Sequence, residues 1–215
     1  MQLQGTRLRV TISTWDVSYA TRDSLPPPSS TPPGGIVTLA KEEDVDALAA
    51  LHIDFVVNSP WPGTVTPAEA TDVLSRTVAA GHTWLYRTEE GVVGYTILGR
   101  VTPRTIALRN VYVAPQHRRK GIAEAMVRAL TRYCLGVRPS GVEGVPDVHP
   151  SGGLKEQMNL FVMDPGAERV YRRAGFLFPD REDGGEGGGR DPCTGRKAWY
   201  HAVWRGVEVE PSPSR

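Results

Sequence analysis

The stretch Val111–Val127, VYVAPQHRRKGIAEAMV, decides how the rest of the chain reads. Its first three residues are apolar and largely β-branched, which suits a strand, and Pro115 stops that strand. Beyond Gly121 the period changes. Ile122, Met126, Leu130 and Cys134 recur every four residues while Arg128 and Arg132 take other faces, so an amphipathic helix is expected from about Gly121 to Leu135. Between the two lies the basic turn Arg118, Arg119, Lys120, closed by Gly121. A strand that enters a helix through such a turn makes an anion site. The first helical amides lack internal partners and carry the positive end of the helix dipole, so a diphosphate can be held by N–H groups from about Arg119 to Ala123, Ile122 included. Gly121 allows close approach without a Cβ. Each of the three cations, taken singly, is as well read as a solvated side chain.

Working upstream, TIALRNVYV (105–113) reads as a third antiparallel strand after the hairpin formed by HTWLYR (82–87) and VVGYTILGRV (92–101), whose turn contains Gly91. Thr66, Pro67 and Glu69 announce a helix with a capping box, ended by Gly81. An earlier helix opens on Glu42, Glu43 and Asp44 and turns Val45, Leu48 and Phe55 inward, after a short strand at residues 36–39. The stretch LPPPSSTPPGG (25–35) cannot continue a helix and separates a flexible leader, 1–35, from a domain at 36–205 and a tail at 206–215. Within the leader, alternation of Leu8, Val10 and Ile12 with polar residues also fits an extra edge strand. Downstream of the amphipathic helix, a Gly/Pro-rich loop leads to a strand over MNLFVM (158–163), a short helix over Pro165–Ala174, and a final pair of strands around FLF (176–178) and KAWYHAVW (197–204). The glycine-rich segment 180–195 is expected to be mobile.

The composition bounds the function classes. A chain of 215 residues, 40% hydrophobic and 23% charged, builds one core without staples. A formal charge of +1 supplies no long-range attraction to nucleic acid or anionic lipid. Cys134 and Cys193 lie far apart with no metal-ligand spacing, so both read as free thiols, with no metal site. No apolar stretch approaches the ~20 residues of a membrane span, and a cytoplasmic or nuclear location is expected.

Arg118, Gly121 and Ala123 fit the pattern Arg/Gln, two residues, Gly, one residue, Gly/Ala, and so resemble the CoA-pyrophosphate turn of the GNAT superfamily of acyl-CoA N-acyltransferases. A second segment, DPGAERVYRRAGF (164–176), is similar to a later GNAT motif through Asp164, Ala167, Tyr171, Gly175 and Phe176. It departs at Asp164, where the family usually has Asn. An ionised acid accepts hydrogen bonds without donating them, and Asp164–Pro165 is also a good helix cap. The motifs resemble a fungal-type branch of small GNAT proteins. The resemblance implies an α/β (α+β) fold, with a mixed, mostly antiparallel sheet flanked by helices and two central strands that splay to admit CoA. It further implies that Val111, Tyr112 and Val113 line the pantetheine arm, or serve only as core. By the same resemblance acetyl-CoA is the acyl donor, Tyr171 protonates the departing thiolate, and an amide near Val113 holds the oxyanion. Packing between helix and sheet is the plainer role for Tyr171.

The acceptor is expected to be a small-molecule or peptide amine, with neither nucleic acid nor membrane as partner; the oligomeric state is not readable. Many relatives place a carboxylate on the strand before the pyrophosphate turn, but here that strand offers Arg109 and Asn110. A water chain, Asp54, His52 or His82 is left to take the proton of a lysine-like ammonium. Asn58 and Trp61, in the segment after the first helix, are candidate pocket residues. Two other classes compete: a non-catalytic CoA-binding regulator of the same fold, motivated by the missing strand acid and by Asp164, and a nucleic-acid or nuclear-import patch at HRRK (117–120). The second is weakened by the run's shortness and its lack of interleaved aromatic residues.

Overall fold

The hairpin whose turn carries Gly91 seeds an eight-stranded sheet in the computed structural model, which describes residues 8–28, 34–59, 62–146, 149, 152–180 and 188–209. Its strands are β1 (Leu8–Ala20), β2 (Gly35–Leu39), β3 (Thr83–Thr88), β4 (Gly91–Gly99), β5 (Thr105–Val113), β6 (Val142–Glu143), β7 (Gln157–Val162) and β8 (Trp199–Val209), in the order β6-β2-β3-β4-β5-β7-β1-β8. Only β2–β6 and β5–β7 run parallel. This is the mixed, mostly antiparallel α/β sheet expected from the sequence.

Among the described residues, four α-helices cover the sheet: α1 (Val45–Asn58), α2 (Pro67–Ala79), α3 (Ile122–Cys134) and α4 (Pro165–Arg173). Alternation along the strands divides the interior into two cores. Leu85, Tyr95, Ile97 and Tyr112 face α1 and α2, where they meet Leu48 and Leu74. Trp84, Val93, Leu98 and Val113 face the other way, toward Met126, Leu130 and Tyr171 of α3 and α4. The helix starts follow the sequence signals. Thr66 Oγ1 accepts from the Glu69 amide at 3.3 Å while Glu69 accepts from the Thr66 amide at 2.8 Å, and Asp164 accepts from the Ala167 amide at 2.7 Å.

The leader needs correction. Residues 8–20 are a strand inside the sheet: Asp16–Ala20 pair with β7, and Leu8–Ser18 pair with β8. Nor does the proline-rich segment stand apart over its described part, since Pro26 and Pro27 carbonyls accept from Arg132 and Arg128 of α3, and Ser24 donates to the Gly175 carbonyl at 2.8 Å. Alternation over residues 8–12 was the relevant signal; proline content misled because extended chain can lie across two helices as well as leave them. Two further expectations change. FLF forms no strand and instead buries Phe176 and Phe178 beneath α4. The segment 188–195 is folded around Asp191, which is 3% exposed, accepts from Thr21 at 2.7 Å and takes the Thr194 amide at 2.7 Å. Among the described residues, no helix is long and apolar enough to cross a membrane.

Integration of β1 has a measurable consequence at Ala20, which is fully buried. Ala20→Leu should lower the unfolding free energy by about 1–3 kcal/mol through overpacking, read as a lower urea midpoint. The same change in a detached leader would leave the midpoint where it is.

Candidate active site

The site begins where two strands separate. β5 and β7 pair from Thr105↔Gln157 to Leu108↔Leu160, after which β5 continues to Val113 alone on that side. The cause lies on the opposite edge of β5. Ile97 pairs with Asn110 but Leu98 pairs with Leu108, so Arg109 is an extra residue that bends the strand. Beyond the bulge, backbone groups facing β7 have no strand to bond. The Ala114 amide donates to Val93 of β4 at 2.9 Å, so by alternation the Val113 and Val111 amides point away from β4, into the opening.

At its end β5 passes through a short 3₁₀ turn, Pro115–His117, and then a tight loop with two left-handed residues, Arg119 (φ 65°) and Gly121 (φ 78°). For Arg119 that conformation is uncommon. Gly121 is the N-cap of α3 and offers no side chain, so unlike α2 and α4 this helix has no side-chain cap. Its first intrahelical bond is from the Ala125 amide, which leaves the Ile122, Ala123 and Glu124 amides without helical partners. A diphosphate fits this end in charge and in donor number. Of the three cations, Arg118 is already engaged: its Nε donates to the Val113 carbonyl at 3.0 Å and its guanidinium lies 5.3 Å from the Tyr112 ring centroid. Arg119 and Lys120 are exposed, and Lys120 borders a cleft of about 380 Å³ lined also by Tyr86, His117 and Ile122.

The later motif folds beside this opening. α4 starts three residues after β7, with Asp164 as its cap. Its carboxylate is thus spent on the Ala167 amide, the plainer of the two roles open to it. Gly175 is left-handed (φ 100°), and a Cβ there would lie 2.9 Å from the Ser24 carbonyl, so both conformation and crowding require glycine. Tyr171 is 8% exposed and packs edge-on against Phe176. Burial, and secondarily the Asp164 charge, push its phenol up to about 12.

The candidate bases separate. Asp54 and His52 reach the splayed strand's neighbourhood from α1: the Tyr112 hydroxyl donates to Asp54, and His52 Nδ1 lies 2.8 Å from the Tyr95 hydroxyl. Burial lowers the His52 pKa and favours the neutral ring. His82 belongs elsewhere, since its carbonyl accepts from Leu98, whose partner Leu108 lies in the still-paired part of β5. Asn58 donates to Asp54 at 2.7 Å. Trp61 lies outside the described residues. Sequence reasoning named Tyr112 only for the pantetheine arm or the core and did not name Tyr95; both side chains meet α1 across the sheet. Tyr112 and Asp54 are 58 residues apart, and no linear pattern joins them.

Comparison with known proteins agrees with this geometry. Residues 79–177 match the family model described as acetyltransferase (GNAT) domain. No curated protein matches the sequence. Among solved structures, a GCN5-related N-acetyltransferase from Sphaerobacter thermophilus is 19% identical with a TM-score of 0.54, over 79% of this chain and 49% of that one. An acetyltransferase of the GNAT family from Colwellia psychrerythraea is 14% identical with a TM-score of 0.52, over 77% of this chain and 53% of its own. An N-acetyltransferase from Staphylococcus aureus Mu50 is 22% identical with a TM-score of 0.39, over 46% of this chain and 65% of its own. The chain therefore spans less than two thirds of the length of each of these three structures. The matched segment holds the splayed strand, the uncapped helix and the Tyr171 motif, and over these residues the chain is similar to the acetyltransferase (GNAT) domain.

Proposed function

We propose that the protein is an N-acetyltransferase that moves the acetyl group of acetyl-CoA directly to a primary amine. One observation carries this reading: β5 leaves β7 after Leu108, turns the Val111 and Val113 amides into the gap, and runs into a helix whose first amides lack any side-chain cap. Pantetheine is a chain of amides, and strand edge groups at Val111 and Val113 can pair with it as a missing strand would. The pyrophosphate takes the amides from Arg119 to Ala123, with Lys120 and Arg119 as nearby cations. Arg118 and the ring of Tyr112 hold the end of the strand that carries the Val113 amide, while Asp164 sets the start of α4.

The neutral amine attacks the thioester carbon, and negative charge developing on the carbonyl oxygen is met by the Val113 amide. The carbon–nitrogen bond forms, the carbon–sulfur bond breaks, and the proton lost by nitrogen is the one that sulfur finally carries. Tyr171 remains protonated throughout. With its phenol near 12 against ~8.5 for a thiol, full transfer to sulfur is uphill, so its contribution is a hydrogen bond to the departing thiolate.

Three measurements test this reading. Isothermal titration with acetyl-CoA should give micromolar binding that is lost in Gly121→Glu, which sets a carboxylate against the pyrophosphate; absence of binding to the folded wild type overturns it. Tyr171→Phe should lower kcat for CoA release ~10–100-fold, the worth of one hydrogen bond to a charged group, with the KM for acetyl-CoA little changed. Because the raised pKa keeps the phenol protonated as pH climbs, the rate should rise from pH ~7 to ~10 as the acceptor amine loses its proton, with no falling limb. A fall centred below pH ~10 would remove Tyr171 from this role.

A further inference from the structure

Away from the splayed strands, a cavity of about 290 Å³ lies where the proline-rich segment crosses α3 and the end of α4. Its apolar walls are Pro26–Pro28, Ala125, Ala129 and Ala174, and Arg128, Arg132 and Ser140 bring polar groups to it. The volume falls at the lower end of the range for small-ligand pockets. No residue of the β5 edge or of the basic turn Arg118–Ala123 lines it. At about 1.5 Å per residue, Arg132 stands ~15 Å beyond Ile122 along the helix axis, far from the uncapped end of α3.

Arg132 sets the character of this cavity. It is 9% exposed, and among the described residues no carboxylate lies within ion-pair distance of it. Its protein partners are three carbonyls: Nε donates to Pro139 at 2.7 Å, Nη1 to Pro26 at 3.2 Å and Nη2 to Arg138 at 3.1 Å. Carbonyl dipoles fix a guanidinium in place without cancelling its charge, and a buried charge that lacks a counter-ion is costly. A guanidinium carries five N–H groups, so one on each terminal nitrogen remains for a further acceptor. Arg128 adds to the same field. Its Nε pairs with Glu124 at 3.0 Å, but Glu124 is shared with Arg173 at 2.5 Å, and one acid thus serves two arginines. Ser140, 5% exposed, accepts from Arg138 at 3.2 Å and keeps its own O–H to donate.

We infer that this cavity binds a compact monocarboxylate, with its oxygens on the remaining N–H groups of Arg132 and Arg128 and its apolar body against the prolines and alanines. Guanidinium and carboxylate match in plane and spacing, and apolar walls suit a hydrocarbon body better than the hydration shell of a phosphate. A ligand seated there ties the proline-rich segment to α3 and α4 together. The inference stands independently of the transferase reading.

The test titrates benzoate calorimetrically into the full chain at constant ionic strength, with benzamide as the uncharged isostere and inorganic phosphate as the competing oxyanion. Benzoate should bind saturably at one site per chain, ~10–100-fold more tightly than benzamide, the worth of a charge-assisted bond, and more tightly than phosphate. Arg132→Met should abolish the preference for benzoate over benzamide. That change also removes three bonds to carbonyls, so a second variant keeps both arginines: Ala125→Leu fills the cavity and should weaken benzoate at least ~10-fold while thermal melting shows the chain folded. Gly121→Glu, which alters the basic turn, should leave benzoate bound. The inference is overturned by benzamide or phosphate binding to the wild type as tightly as benzoate, by absence of saturable benzoate binding, by full retention in folded Ala125→Leu, or by one-for-one displacement of benzoate by CoA.

Discussion

Everything in the site depends on β5 losing its neighbour. A parallel pair that continued past Leu108 would satisfy the Val111 and Val113 amides within the sheet and leave nothing to offer a ligand. The single extra residue at Arg109 redirects the strand, while β7 stays bonded along its other edge to β1. Pairing of Val162 with Asp16 and of Phe161 with Val17 keeps β7 straight while β5 turns away. Unpaired backbone groups in a protein interior are costly unless a ligand or water meets them, and so an opening of this kind is best understood as a place for one.

The two faces of the opened sheet have different chemistry. On the α3 and α4 side the groups are backbone amides, an uncapped helix end and a phenol held protonated by burial, all hydrogen-bond donors. On the α1 side stand the Asp54 carboxylate, which accepts from Tyr112, and His52, whose ring lies against the Tyr95 hydroxyl. Tyr112 belongs to both. Its ring lies under Arg118 of the basic turn and its hydroxyl donates to Asp54, whose hydrogen bond and charge, after burial, help raise its pKa to about 12. The ring and hydroxyl of one side chain thus fix the end of the splayed strand relative to both helices that flank it.

What the sequence by itself determined is local. The capping box at Thr66, the four-residue period from Ile122 to Cys134, the glycine-containing turn before it and the Asp164–Pro165 helix start all act within a few residues, and each appears in the structure within a residue or two of its expected place. The motif around Arg118–Ala123 and the segment around Tyr171 were legible for the same reason: a helix N-terminus and a left-handed glycine are built from adjacent residues. Tertiary structure alone decided the rest. Whether residues 8–20 were strand or leader turned on partners more than 130 positions away, in β7 and β8, and proline-rich chain at 25–28 was held down by Arg128 and Arg132, which its own composition could not announce. The α1 side of the opening was invisible for the same physical reason. A hydrogen bond between Asp54 and Tyr112 exists only because a helix and a strand far apart in the chain pack across one sheet, and contacts of that range leave no period in the sequence.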